Sequence, residues 1–214
     1  MKWPYLLLPL LAGCAATSHV YQLEDARAVQ KPAPRDAQAP VLRMLATRSD
    51  SYDDRQDLTF GTPAGERGHY RYARWSTLPS QRLHELLFRR LDASSAFSVV
   101  LDSYAPGNEQ CDLETVLLDW YHDTTMQPGQ AVVSVRASLY GFPDQRLVSR
   151  QTFRATAPLQ HYDGASAAHA LDAAGNRLLN MMTDWAVSQA GRCRVATPAE
   201  SRQPVHARSE TAPQ

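Results

Sequence analysis

The stretch LETVLLDWY, Leu113 to Tyr121, constrains the fold more than any other part of this 214-residue chain. Successive residues of a strand point to opposite faces. Val116, Leu117, Leu118 and Trp120 therefore put apolar side chains on both faces. Such a strand needs cover on both sides, which predicts a central place in a sheet. The residues that follow supply its neighbours. Val133, Val135, Ala137 and Leu139 alternate with Ser134, Arg136, Ser138 and Tyr140, the period of a strand with one wet face. Leu147 to Ala155 comes after the turn Pro143-Asp144-Gln145, so these two strands should form a hairpin. From Ser166 to Gln189 the period becomes helical, with Leu171, Ala174, Leu178, Met182 and Trp185 on one stripe. Gly175 in the middle of that helix should weaken it by about 1 kcal/mol relative to Ala.

Upstream signals are shorter. Val41 to Ala46 reads as a buried strand, Leu58-Thr59-Phe60 as a brief one, and His69 to Tyr72 as a strand edge. Thr77 offers an N-cap and Pro79 suits a first helical turn, where the missing N–H has no role. Leu83, Leu86, Leu87 and Leu91 then recur at helical spacing, with Arg82, Glu85, Arg89 and Arg90 mostly on other faces. Phe97 to Leu101 is a further short strand. Two strands, a helix, a strand, a meander and a closing helix predict an α+β fold. Its form is a two-layer sandwich, a mostly antiparallel sheet with two main helices packed on one face. The domain is expected at 41–193. Before it, 14–40 reads as a Pro-rich leader in which only Val20 to Leu23 looks strand-like. After it, 194–214 is rich in Pro, Ser, Gln and charge, with little to bury, and is expected to be disordered.

Residues 1–13 have the form of a targeting segment. Lys2 supplies the positive start, Tyr5 to Leu11 the short apolar core, and Ala12 and Gly13 the small residues of a cleavage site. Leu11-Ala12-Gly13-Cys14 resembles the lipobox of bacterial lipoproteins, in which the cysteine sulfur receives a diacylglycerol and becomes the first mature residue. An ordinary secretion signal is the alternative. Ala15 follows the cysteine; in enteric-type sorting an Asp there would retain the protein at the inner membrane, so Ala15 favours the outer one. Setting Cys14 aside leaves Cys111 and Cys193, an even pair in an oxidising compartment, and a disulfide between them is expected, with two free thiols as the alternative.

The chain carries 22 basic and 22 acidic residues, so it has no electrostatic reason to coat nucleic acid or an anionic surface. Its sequence contains no Gly-x-Ser-x-Gly elbow, phosphate-cradling loop or His-Glu-x-x-His, and no cofactor is expected. His161, Asp163 and Ser166 contain the residue types of a triad, but they crowd one helix start, where Asp163 and Ser166 already suit capping. Asp53, Asp54 and Asp57 lack the spacing of a calcium loop. The segment HYRYARW, His69 to Trp75, holds the residue types of interfaces. Trp75 is better placed to pack beneath the first helix, which leaves Tyr70, Arg71, Tyr72 and Arg74 as the candidate partner surface.

The lipobox, Tyr21-Gln22-Leu23 soon after it, and HYRYARWSTLPSQRLHELLFRRLDASSAFSVV lead to a meander closed by an alanine-rich helix. Together they resemble the ABC-type transport auxiliary lipoproteins. That family includes the lipoprotein of the paraquat-inducible Pqi system and the auxiliary component of Mce-type lipid transporters. Tyr72, Trp75, Pro79, Leu83, Leu87 and Leu91 stand at the family's Tyr, Trp, Pro and Leu positions. Phe97-Ser98-Val99-Val100 matches the next strand, and Pro143-Asp144 stands at an Asp-Gly-type turn, here without the Gly. The resemblance covers most of 14–190. It implies a non-enzymatic accessory subunit, lipid-anchored on the periplasmic side. Such a subunit assists an Mce-domain protein and an ABC permease and ATPase in moving lipid between two membranes. Only Cys14 carries over as a site residue. An envelope assembly or structural lipoprotein is the alternative, a lipoprotein hydrolase a more distant one. A homo-oligomer is compatible with either role.

Overall fold

The computed structural model describes residues 17–27, 34–49 and 51–193. The lipidation candidate Cys14 and the 194–214 tail lie outside these residues. The first half of the fold contains β1 (His19–Tyr21), β2 (Val41–Met44), β3 (Arg48–Ser49), β4 (Asp57–Gly61), β5 (Arg67–Trp75) and α1 (Pro79–Ala93). The second half contains β6 (Val99–Asp102), β7 (Cys111–Asp123), β8 (Gln130–Gly141), β9 (Arg146–Pro158) and α2 (Gly164–Gln189), followed by a 3-10 turn, Ala190–Cys193. The described strands form one sheet, and both helices bury their apolar stripes on the same face of it. The fold is thus α+β in two layers.

β7 is the spine of the sheet. Along one edge it pairs antiparallel with β8 over its whole length, and β8 pairs likewise with β9. Along the other edge three short strands follow one another in parallel register: Leu42–Met44 beside Cys111–Leu113, Arg48–Ser49 beside Val116–Leu117, and Phe60–Gly61 beside His122–Asp123. The long pairings are antiparallel; those with β2, β3, β6 and β1 are short and parallel. The apolar character of β7 on both faces has a structural counterpart. Leu113, Leu117 and Trp120 enter the helix-side core, while Val116 and Tyr121 are buried as well. The guanidinium of Arg67 covers the Tyr121 ring at 3.9 Å from its centroid.

Three local expectations change in the tertiary structure. First, Thr77 does not cap α1. The N-cap is Leu78, without a side-chain cap, and the carboxylate at that helix start comes from Asp54, whose Oδ1 accepts from Ser80 N at 2.9 Å. A loop far off in sequence satisfies one of the free N–H groups of the first turn. Second, Arg82 and Arg90 are buried, not on a solvated face. Third, residues 19–27, placed in a leader by their sequence, are packed into the domain. β1 pairs with β5, and Leu23 belongs to the core.

Gly175 shows why a helix breaker sits inside α2. A Cβ built there would lie 2.9 Å from Trp120 Cη2 and 3.0 Å from Leu23 Cδ1. The glycine lets α2 approach both the spine and the N-terminal segment. Gly175→Ala should therefore destabilise the protein by about 1–3 kcal/mol through overpacking, against the gain of about 1 kcal/mol in helix propensity. Urea unfolding decides the matter; a more stable variant would show that the contact yields freely.

Candidate functional site: a clasp on the N-terminal segment

A row of polar side chains on α1 and α2 holds residues 23–27. Arg82 and Arg90 are eight residues apart on α1 and flank Leu86 at four-residue steps, so they share its inward face. Arg82 Nε donates to the Leu23 carbonyl at 2.9 Å. Arg90 Nε donates to Asp25 Oδ1 at 3.0 Å, and its two terminal nitrogens donate to Asn180 Oδ1 at 2.9 Å and Asn176 Oδ1 at 2.8 Å. The Arg90 side chain is 3% exposed.

Asn176, one helical step from Gly175, grips the backbone of the same segment. Its Oδ1 accepts from Ala26 N at 2.9 Å and its Nδ2 donates to the Glu24 carbonyl at 2.8 Å. Asp172 Oδ1 accepts from Glu24 N at 2.9 Å. Arg27 closes the row, donating to Asn180 Oδ1 at 2.8 Å and Asp184 Oδ1 at 3.1 Å. One side of α2 thus reads a peptide backbone through side-chain amides and carboxylates. The electrostatics follow the geometry. Burial works against the Asp25 carboxylate, but the hydrogen bonds from Arg90 and from the Arg27 amide, with both arginine charges, hold it below the usual carboxylate range. Asp172 moves the other way: burial and the nearby Glu24 charge raise it, against the stabilising Glu24 N–H.

A cleft of about 440 Å³ opens beside this clasp, between the segment and Phe88 and Arg89 of α1. Its arginines are engaged: Arg82 and Arg89 with Glu85, Arg90 with Asp25, and Arg27 with Asp184. Each arginine of the cleft therefore already has a carboxylate partner.

The other sequence candidates fall elsewhere. Of the HYRYARW segment, Arg71, Tyr72 and Arg74 are exposed. Arg71 lies 5.5 Å from the Tyr72 ring centroid, and Arg74 donates to Gln56 Oε1 at 2.9 Å. Trp75 is buried edge-on to Trp120. Tyr70 turns inward: half-buried, it donates its hydroxyl hydrogen to His122 Nδ1 at 2.7 Å. The reverse direction is closed because His122 Nε2 must donate to the Pro128 carbonyl, 2.9 Å away, which leaves Nδ1 as the acceptor of a neutral ring. Asp163 caps α2 through Ser166 N, and Ser166 Oγ accepts from the His161 backbone, so these residues serve the helix start. Asp53 is buried against Arg67. Among the described residues no group of three or more His, Cys, Asp or Glu is placed to hold a metal ion. Cys111 and Cys193 form a disulfide that ties the end of the helical layer to the first residue of β7.

Burial lowers the pKa of His122, partly offset by its bond to Pro128 and by the Asp123 charge. The unfolded chain therefore binds a proton more readily than the fold. The stabilising contribution is complete above the ordinary histidine value of about 6.5 and is lost as pH falls below it. Urea midpoints taken between pH 7.5 and 5.5 should fall in the natural protein and fall less in His122→Gln; equal slopes would remove His122 as the cause.

The fold is an α+β sandwich that clasps its own N-terminal segment between its helices, and no described helix is long and apolar enough to cross a membrane. The sequence profile of the ABC-type transport auxiliary lipoprotein component matches residues 21–183, and the chain belongs to that family. Among solved structures, a Xanthomonas campestris protein of the DUF330 family is similar at 19% identity and a TM-score of 0.71. It aligns over 82% of this chain and 98% of its own. An uncharacterised protein is similar at 15% identity and a TM-score of 0.61, over 79% of this chain and 99% of its own. No curated protein matches the sequence. The match begins at Tyr21, so the clasped segment lies inside the family's domain. The signal for it was present in the wheel of α1, where two arginines interrupt the inward face.

Proposed function

We propose that the protein is a periplasm-facing accessory subunit of an Mce- or Pqi-type ABC lipid transport system. It is held by acylation of Cys14, on the outer membrane more than the inner, and acts by docking and not by catalysis. The observation that carries this reading is the family match over 21–183 joined to Leu11-Ala12-Gly13-Cys14 just before it. The clasp suits such a role. A docking subunit must present a fixed face, and the bonds from Arg82, Arg90, Asn176 and Asp172 seat the segment nearest the anchor. Exposed Arg71, Tyr72 and Arg74 offer side chains of the kind that anchor protein contacts. An Mce-domain protein with its permease and ATPase is the expected partner.

Labelled palmitate should enter the natural protein and not Cys14→Ser; persistence of label would remove the anchor. Detergent-solubilised natural protein, affinity-purified from its own cells, should bring down an Mce-domain protein and the permease. Recovery of an outer-membrane assembly machine instead would overturn the transport role.

A further inference from the structure

We propose that the domain rests on its anchoring membrane through the end that carries the β7–β8 turn, with Met126, Val20 and Tyr162 in contact with the lipid surface. The inference rests on Cys14 being acylated. Cys14 is five residue steps before His19, where β1 begins. A chain spans at most about 3.6 Å per residue, so the backbone of Cys14 stays within about 18 Å of His19 whatever path it takes.

Strand pairing places His19 in the fold. It pairs with Ala73, and a Cβ on Gly164 would lie 2.8 Å from the Ala73 Cβ, so α2 begins beside β1. Tyr162, just before that helix, meets His122 with ring centroids 5.4 Å apart. His122 is next to last in β7 and bonds to Pro128 of the following turn. The starts of β1 and α2 and the β7–β8 turn therefore share one end of the domain.

That end exposes apolar side chains beside two exposed carboxylates, Glu66 and Asp163. Met126 is 76% exposed, Val20 61% and Tyr162 49%. The turn TTMQPG, 124–129, carries no charge, and the neighbouring 62–66 turn carries only Glu66. Thr124 N donates to the Gly61 carbonyl, which keeps the two turns side by side. Glu66, Asp163 and Arg74, the last in register with Val20, stay hydrated at headgroup level, and methionine and tyrosine suit the boundary between headgroup and acyl chain. A chain of zero net charge makes the contact apolar, not electrostatic. Tyr104 is also exposed, at 95%, but it follows β6, whose last residue Asp102 stands level with Met44 and so with Leu113, ten residues before the end of β7. At about 3.3 Å per residue that places it about 33 Å along the strand from the β7–β8 turn.

The test uses the acylated protein in vesicles of phosphatidylethanolamine and phosphatidylglycerol. A single engineered cysteine at Met126→Cys, Val20→Cys or Tyr104→Cys carries an environment-sensitive fluorophore; Cys111 and Cys193 are bonded and stay unlabelled. The labels at 126 and 20 should shift to the blue and be quenched by nitroxide lipids at least twice as strongly as the label at 104. Protein that floats with the vesicles while 126 and 20 remain in water, or while 104 is quenched equally, overturns the contact and leaves the anchor standing. Protein that does not float with them overturns both.

Discussion

Replacing Cys111 and Cys193 together by alanine should lower the unfolding free energy by about 4–5 kcal/mol. The bridge joins residues 82 apart in sequence. Closing a loop of that size in the unfolded chain removes entropy equivalent to about 4.5 kcal/mol in the chain-entropy account. Alanine avoids burying two hydroxyls where both sulfurs are now covered. For a domain of this length such a loss lowers Tm by on the order of 10 °C. Denaturant unfolding of the oxidised protein, the reduced protein and the double variant checks it. Reduced protein and variant should agree, both well below the oxidised form; coincidence of all three midpoints would dismiss the bridge as a stabiliser. In the proposed periplasmic role, the oxidising envelope outside the cytoplasm would let this full stability develop only after export.

The second large effect is expected at Arg90. Arg90→Met keeps the length and apolar stem but leaves Asp25, Asn176 and Asn180 without their shared donor. Breaking a buried pair from one side costs about 3–5 kcal/mol. The Asp25 side chain is 26% exposed, so water recovers part of that loss and about 2–4 kcal/mol is expected. The distinguishing readout is local. Amide exchange at Glu24 and Ala26 should speed up far more than exchange in β7 and β8, because those N–H groups are held by α2 side chains and not by a strand ladder. Uniform acceleration throughout the protein would mean that Arg90 supports the fold as a whole and not the clasp. Asp25→Asn with Arg90→Met should recover part of the loss, since a neutral amide tolerates the missing cation better than a carboxylate.

Much of the architecture was written in local periodicity. The two-faced apolar run of β7, the alternation of β8, the turn before β9 and the stripe of α2 each depend on residues close in sequence. Where the sheet continues beyond β7 was not legible. β2, β3 and β4 pair through backbone N–H and C=O groups, and those groups are the same in every residue. The disulfide followed from the count of cysteines and their compartment, although proximity itself needs the fold. Asp54 as the cap of α1, and the inward turn of Tyr70 to His122, join residues 26 and 52 apart and leave no periodic trace.

The candidate site divides in the same way. The sequence by itself carried the order of elements that marks the family, with the lipobox-like Leu11-Ala12-Gly13-Cys14 ahead of it. Only the tertiary structure decided that residues 19–27 belong to the domain, that Gly175 is a point of close approach, and that Arg82, Arg90 and Asn176 hold a peptide instead of facing water. The physical reason is that hydrophobic period reports which side of an element is buried, whereas a buried arginine or asparagine is defined by the partner that satisfies it. Those partners, Leu23, Glu24, Asp25 and Ala26, stand 59 to 152 residues away in the chain.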